Sequence, residues 1–214
     1  MVSGERDCET GAKVILPECI KISALFVESG GCYYGIKLID PWDIDRDARN
    51  YCGDDPVIAH PPCQLWGKMA NVNFARWGGG HNKPGNDNGC FESALKSVRR
   101  CGGVLEHPAQ TYAWANYGLT KPIKGQWTES GIGWVCEVWQ SAYGHRANKA
   151  TWLYYVGNSK PCDLNWERPR GTHQIGGADK RGAANKPTIS GSAASATPKQ
   201  FMDALIKLAR NSVL

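Results

Sequence analysis

The chain has 214 residues, of which 42% are hydrophobic and 21% charged, with a net charge of +5. That balance excludes an intrinsically disordered chain, contains no apolar run long enough to span a membrane, and suits one domain around one core. The excess charge is uneven: from Lys160 onward nine Lys/Arg face four acids, so the last quarter carries all of it. A phosphate-facing surface needs such clustering, although a solvated basic loop has the same composition.

Residues 1–20 read as a polar lead-in without the apolar stretch of a secretory signal, so the expected location is the cytoplasm. Residues 21–214 read as a single α/β domain. KISALFV and CYYGIKLI predict two strands, and the Gly30-Gly31 turn between them predicts an N-terminal β-hairpin closed by Asp40-Pro41. Pro56 opens an apolar strand, VIAH, that Pro61-Pro62 stop. Residues 67–89 carry GGG, KPG and NDNG and predict a long loop.

CFESALKSVRRC then places Phe91, Ala94, Leu95 and Val98 on one helical face, with Gly102-Gly103 ending the helix. VLEH predicts a strand, Pro108–Tyr117 a helix with Pro108 as its first residue, and Gly133–Gln140 and Thr151–Val156 two more strands. The stretch 158–196 is basic and irregular. Thr197-Pro198 predicts a capped helix with Phe201, Leu205 and Leu208 on one face. Strand–helix–strand alternation predicts a mostly parallel, Rossmann-like sheet flanked by helices, with ligands at the carboxyl ends of its strands.

Two candidate catalytic residues stand at such ends. Cys63 follows two prolines that stiffen its approach, on a loop rather than within an apolar run, as a nucleophilic thiol would be placed. The bland reading is an inert, buried thiol. Glu106 stands at the end of VLEH, where a buried carboxylate needs a partner or a chemical task. His107 beside it has three possible tasks: contacting phosphate, orienting Glu106 or capping a helix. The segment YGHRANKATWLYYVG sets His145, Arg146 and Lys149 before an aromatic strand, a pattern suited to a phosphate backbone or an extruded base, or to an ordinary exposed turn. The nine cysteines include no CxxC and the histidines no HExxH, so no metal site is expected.

PPCQ, then EHP, then YG-x(4)-K-x-T ending in VG, resembles the DNA cytosine-5 methyltransferases over roughly residues 56–157. The chain is similar, too, to short phage and prophage proteins that carry HPPC, EHP and GHxAxKxTWL. The resemblance implies a methyltransferase-like fold, a bacterial host, and double-stranded DNA with a flipped pyrimidine as partner. Cys63 would add to C6 of that base while Glu106 holds the ring nitrogen. It further implies nucleic-acid contacts from Gln64, Trp66, His107, His145, Arg146, Lys149, Arg168 and Arg170.

S-adenosylmethionine is the cofactor it implies, at Phe26, Gly30, Gly31, Asp43 and Pro61. LFVESGGCYYG departs from the family's Leu-Phe-x-Gly-x-Gly-Gly loop by Glu28 at the first glycine. The span from Gly35 to Asp43 is also too short for the usual helix and strand, which is why a hairpin is expected. Two other readings stay open: a non-catalytic nucleic-acid-binding protein, and a zinc-dependent base deaminase, for which the loop lacks the second cysteine of Pro-Cys-x-x-Cys.

Overall fold

A computed structural model describes residues 19–176 and 186–214; the expected lead-in lies almost wholly outside them. Seven strands form one sheet: β1 (Ile22–Leu25), β2 (Ile39–Trp42), β3 (Val57–Ala59), β4 (Gly103–Pro108), β5 (Thr128–Ser130), β6 (Gly133–Trp139) and β7 (Ala150–Val156). Their order is β2-β1-β3-β4-β7-β6-β5. β1 to β4 pair in parallel, and β7 enters antiparallel between β4 and β6. Five strands therefore point one way and β5 and β7 the other, so the sheet is mixed, with a parallel half around β1 and β3.

Side chains alternate across this sheet with the strand period of two. Val57, Ala59, Leu105, Trp152 and Tyr154 join one core cluster, whereas Ile58, Val104, Leu153 and Tyr155 join another on the opposite face. The first is covered by α2 (Cys90–Cys101) and α3 (Tyr112–Asn116), the second by α5 (Lys199–Arg210). The helical stripes read from sequence are the ones buried: Phe91, Ala94 and Val98 in α2, and Phe201, Leu205 and Leu208 in α5.

The expected hairpin is not formed. A turn does occur at Gly31, whose amide donates to the Glu28 carbonyl at 2.9 Å, but the chain turns again at Ile36–Leu38. It returns to the start of β1, where the Ile22 amide meets the Leu38 carbonyl at 2.9 Å, and β2 runs parallel to β1. The segment between them has the dozen-residue length that a parallel crossover needs, without a helix. Pro41 lies inside β2 rather than ending a strand, and β2 is an edge strand, where a missing N–H costs no ladder bond.

Three other expectations are corrected. The loop 67–89 contains α1 (Lys68–Trp77). Pro108 stays in β4, paired with Thr151, and α3 starts only after Thr111, whose hydroxyl accepts from the Ala113 amide. Thr197 does not cap α5; Pro198 occupies that position, with no side-chain bond. In the irregular basic segment, short β8 (Gln174–Ile175), β9 (Thr188–Ile189) and α4 (Ser192–Ser195) are formed. Among the described residues no helix is long and apolar enough to cross a membrane.

The α2 N-terminus is fixed by Asp87, which accepts from the Phe91 amide at 2.8 Å, the Gly89 amide at 3.0 Å and the Trp66 indole at 2.8 Å. Asp87→Ala would remove a helix cap and leave the buried indole N–H without a partner. The expected loss is about 2 kcal/mol, read as a lower urea midpoint with unchanged m-value.

Candidate active site

The order of β2, β1 and β3 creates a topological switch point. The chain leaves β1 toward β2 on one side and later fills β3 on the other, which opens a crevice at the carboxyl ends of β1 and β3. The loops meeting there are Phe26–Gly31 after β1, Asp43 after β2, His60–Cys63 after β3, and the end of β4 with Glu106. Because β7 is antiparallel, the loop before it arrives at the same edge: Pro108 pairs with Thr151, and the Ala109 amide donates to the Ala150 carbonyl. The HPPC, EHP and GHRANK elements thus converge.

At the centre is a buried hydrogen-bonded chain. His60 Nδ1 lies 3.0 Å from Glu106 Oε2, and His60 Nε2 lies 2.8 Å from the Tyr33 hydroxyl. Gln140 donates to Glu106 Oε1 at 3.1 Å and to the Thr151 hydroxyl at 2.9 Å. Burial alone would raise the Glu106 pKa, but the His60 contact, aided by the Lys149 charge, holds it below the usual carboxylate value. An ionised Glu106 fixes the tautomer: Nδ1–H donates to it, leaving Nε2 to accept from Tyr33. Held ionised, Glu106 accepts hydrogen bonds and does not offer the acid proton that would donate to a ring nitrogen.

Cys63 is half-buried beside this chain. Burial pushes its thiol pKa up, the Glu106 charge pushes it further, and Lys149 pulls it back. Both predicted catalytic residues and Lys149 are therefore within electrostatic reach of one another. Lys149 donates to the Ser195 carbonyl at 2.9 Å, which ties the lead-in of α5 to this edge.

Other predicted residues separate into two groups. Gln64, Arg146, Arg168 and Arg170 are exposed. The last two approach Arg146, because Ser141 donates to the Pro169 carbonyl and the His173 amide to the Arg146 carbonyl. Trp66, His107 and His145 are buried, and in this conformation none presents a surface to nucleic acid. Trp66 is a core ring anchored on Asp87. His107 stacks on Trp114 with its edge to Phe91, and burial lowers its pKa to about 4. His145 closes its own turn through Ala147, and burial lowers its pKa also.

The expected cofactor residues are assembled but do not form the expected contacts. Phe26 takes a positive φ of 58° at the end of β1, a strained conformation for a bulky residue at a crevice. Pro61 is buried, Gly30 exposed, and a side chain on Gly31 would press on the Glu28 carbonyl. Asp43 does stand at the end of β2, where a ribose-binding acid belongs. Its Oδ2 accepts from Ser29 and Tyr34, and its Oδ1 from the amides of Asp45 and Arg46. No lone pair is left for a ribose diol, and the loop after β1 carries the exposed carboxylate of Glu28. As placed, these residues do not fit S-adenosylmethionine.

Tyr33 and Gln140 were not singled out by the sequence, and Thr151 only as the last position of YG-x(4)-K-x-T. Tyr33 sits in a segment with strand-like composition, and only the physical need of a buried Glu106 for donors pointed to partners at all. Among the described residues no three His, Cys, Asp or Glu side chains cluster closely enough to hold a metal ion. A separate cleft of about 460 Å³ lies on the far side of the Cys63 loop, lined by Pro62, Gln64, Leu65, His81, Asn86 and Asn88, with Asp87 and Cys90. It does not contain Cys63, His60 or Glu106. What the fold and the site define is an α/β protein with a thiol–imidazole–carboxylate edge. No protein-family model matches the chain, and no curated protein matches it.

Proposed function

We propose that this protein is a nucleic-acid-modifying enzyme of methyltransferase-like fold that captures a pyrimidine, cytosine in DNA by the resemblance, through Cys63. The observation carrying this reading is the convergence of Cys63, His60–Glu106 and Lys149 on one sheet edge beside the switch-point crevice. Strand ends at a switch point are where α/β enzymes bind ligands. Exposed Arg146, Arg168 and Arg170 supply cations for phosphate nearby.

In the step proposed, the Cys63 thiolate adds to C6 of the base, and the C5=C6 π pair moves to C5. The C5 pair bonds an electrophile, either a proton from water during capture or the one-carbon unit of a donor whose leaving group departs with its bonding pair. Removal of a proton from C5 then restores the double bond and expels Sγ with its electron pair. Glu106 acts through His60, which it holds in a single tautomer. S-adenosylmethionine as the donor to C5 requires Asp43 to give up Ser29 or Tyr34, so the donor is kept apart from the capture step. Titration calorimetry with that compound tests it separately.

Capture is tested with an oligonucleotide carrying 2-pyrimidinone, whose C6 accepts thiols more readily than that of cytosine. Intact mass spectrometry is expected to show a protein–oligonucleotide adduct for the wild type and none for Cys63→Ala. An adduct that survives in Cys63→Ala, or its absence from the wild type across pH 7–10, would sink the reading. The second reading, a non-catalytic nucleic-acid-binding protein, is favoured by one observation: burial and Glu106 both hold the thiol protonated. It predicts binding without any adduct.

A further inference from the structure

Helix α1 is ten residues long, and every residue from Asn71 to Trp77 is exposed. Among its described residues only Ala70 is buried, near its amino end. Helices this short are marginal in water, and most owe their stability to an apolar face packed on a core. Here the apolar residues face solvent instead: Met69, Val72 and Phe74 are substantially exposed, and Trp77 is 68% exposed. Such a surface is built to be covered.

Its charge says by what. Between Cys63 and Asp87 there is no Asp or Glu, whereas Lys68, Arg76 and Lys83 are cations. The Arg76 guanidinium lies 5.0 Å from the Trp77 ring centre, so a cation and a stacking plate are presented together. The same segment continues through His81 and Asn86 into the wall of the 460 Å³ cleft, opposite Pro62, Gln64 and Leu65 of the Cys63 loop. Amide edges between apolar walls suit a planar heterocycle with donors and acceptors on its rim. The one acid in that wall, Asp87, is turned to three N–H donors.

We propose that α1 and the adjoining cleft form the strand-binding face for nucleic acid, with nucleobases stacking on Trp77 and Phe74 and phosphates meeting Arg76 and Lys83. This rests on the nucleic-acid partner proposed above and extends it to a surface outside the Cys63 edge. An acid-free, cationic, aromatic surface complements a polyanion carrying flat rings. A second copy of this chain would bring the same cations face to face.

The experiment is fluorescence anisotropy of the full-length protein with a labelled single strand and a labelled duplex of the same sequence. Trp77→Ala is expected to weaken binding about tenfold or more, as loss of a stacking plate does. Arg76→Gln should reduce the slope of log affinity against log salt by about one. Ile132→Ala, exposed on the β5–β6 turn, should change neither. Thermal unfolding confirms that the variants remain folded, which their exposure predicts.

Wild-type binding that Trp77→Ala and Arg76→Gln leave unchanged overturns this inference while sparing the capture reading. A change in mass on size-exclusion chromatography with unaltered nucleic-acid affinity also overturns it, and assigns the face to self-association. No wild-type binding to either probe overturns the inference and the nucleic-acid partner together.

Discussion

Between pH 6.5 and pH 4 the protein is expected to lose about 3 kcal/mol of stability through His107 alone. His107 is fully buried and surrounded by Phe91 and Trp114, and neither ring nitrogen has a side-chain partner. Burial therefore favours the neutral ring and lowers the folded-state pKa to about 4, against about 6.5 in the unfolded chain. Above pH 6.5 both states hold a neutral ring and the full contribution is present. As the pH falls through this window the unfolded chain binds a proton that the folded one refuses, and stability drains away until the folded pKa is reached. His145, also lowered by burial, adds a slope of the same sign. Glu106 acts only below its unfolded value, since its folded pKa is depressed from 4.5.

Urea midpoints measured from pH 7.5 to 4.5 for the wild type and His107→Phe isolate this contribution. The phenyl ring preserves the stack but cannot titrate, so the variant should keep most of its neutral-pH stability at pH 4.5. Parallel pH profiles for the two proteins would show that the ring is not the source. The same result decides how the HP of EHP is to be understood. A His107 that holds the fold by being neutral is not a phosphate ligand.

Replacing Gly103 by alanine is expected to cost upward of about 3 kcal/mol, enough to remove much of a domain's margin. Gly103 opens β4 with a φ of 120°, opposite Val57 of β3, and an added methyl group would overlap the Val57 carbonyl and crowd its amide. Backbone cannot move aside as a flexible side chain would, so the β3–β4 ladder must part or shift. That ladder sets His60 beside Glu106. Gly103→Ala should therefore lower the denaturation midpoint sharply or abolish soluble expression. A midpoint within experimental error of the wild type would show that the ladder tolerates the methyl group.

Much of this architecture was legible in the residues. The apolar run VIAH between Pro56 and Pro61, and the β-branched and aromatic run TWLYYV, are signals that local chemistry imposes on any fold. Phe91, Ala94 and Val98 were readable as a buried stripe because a helix repeats every 3.6 residues. The β1–β2 relation was not legible, since a glycine turn between two strand-like segments fits a hairpin and a crossover equally. Only the second turn at Leu38, a residue with no turn preference, decides it.

Helix α1 was hidden by its glycine-rich flank and by an apolar pattern that does not face the core. For the site, Cys63 and Glu106 could be picked out from their strand ends, but Tyr33 and Gln140 could not. Tyr33 reaches His60 across 27 positions of sequence, and Gln140 reaches Glu106 across 34. The burial of Trp66, His107 and His145 was not legible for one shared reason. Aromatic and imidazole rings serve equally well as packing material and as contacts, and the sequence does not say which.

The placement of Pro41 in β2 bears on how this molecule meets others. An open strand rim is a template on which a second chain can extend the sheet, the route by which many β-containing proteins polymerise. Here one rim carries a residue without an N–H, next to Asp40, which is bound to Lys21. The opposite rim, β5, is three residues long. Both rims of the seven-stranded sheet are therefore poor templates for polymerisation, and contacts made along them fall to side chains rather than to unpaired backbone.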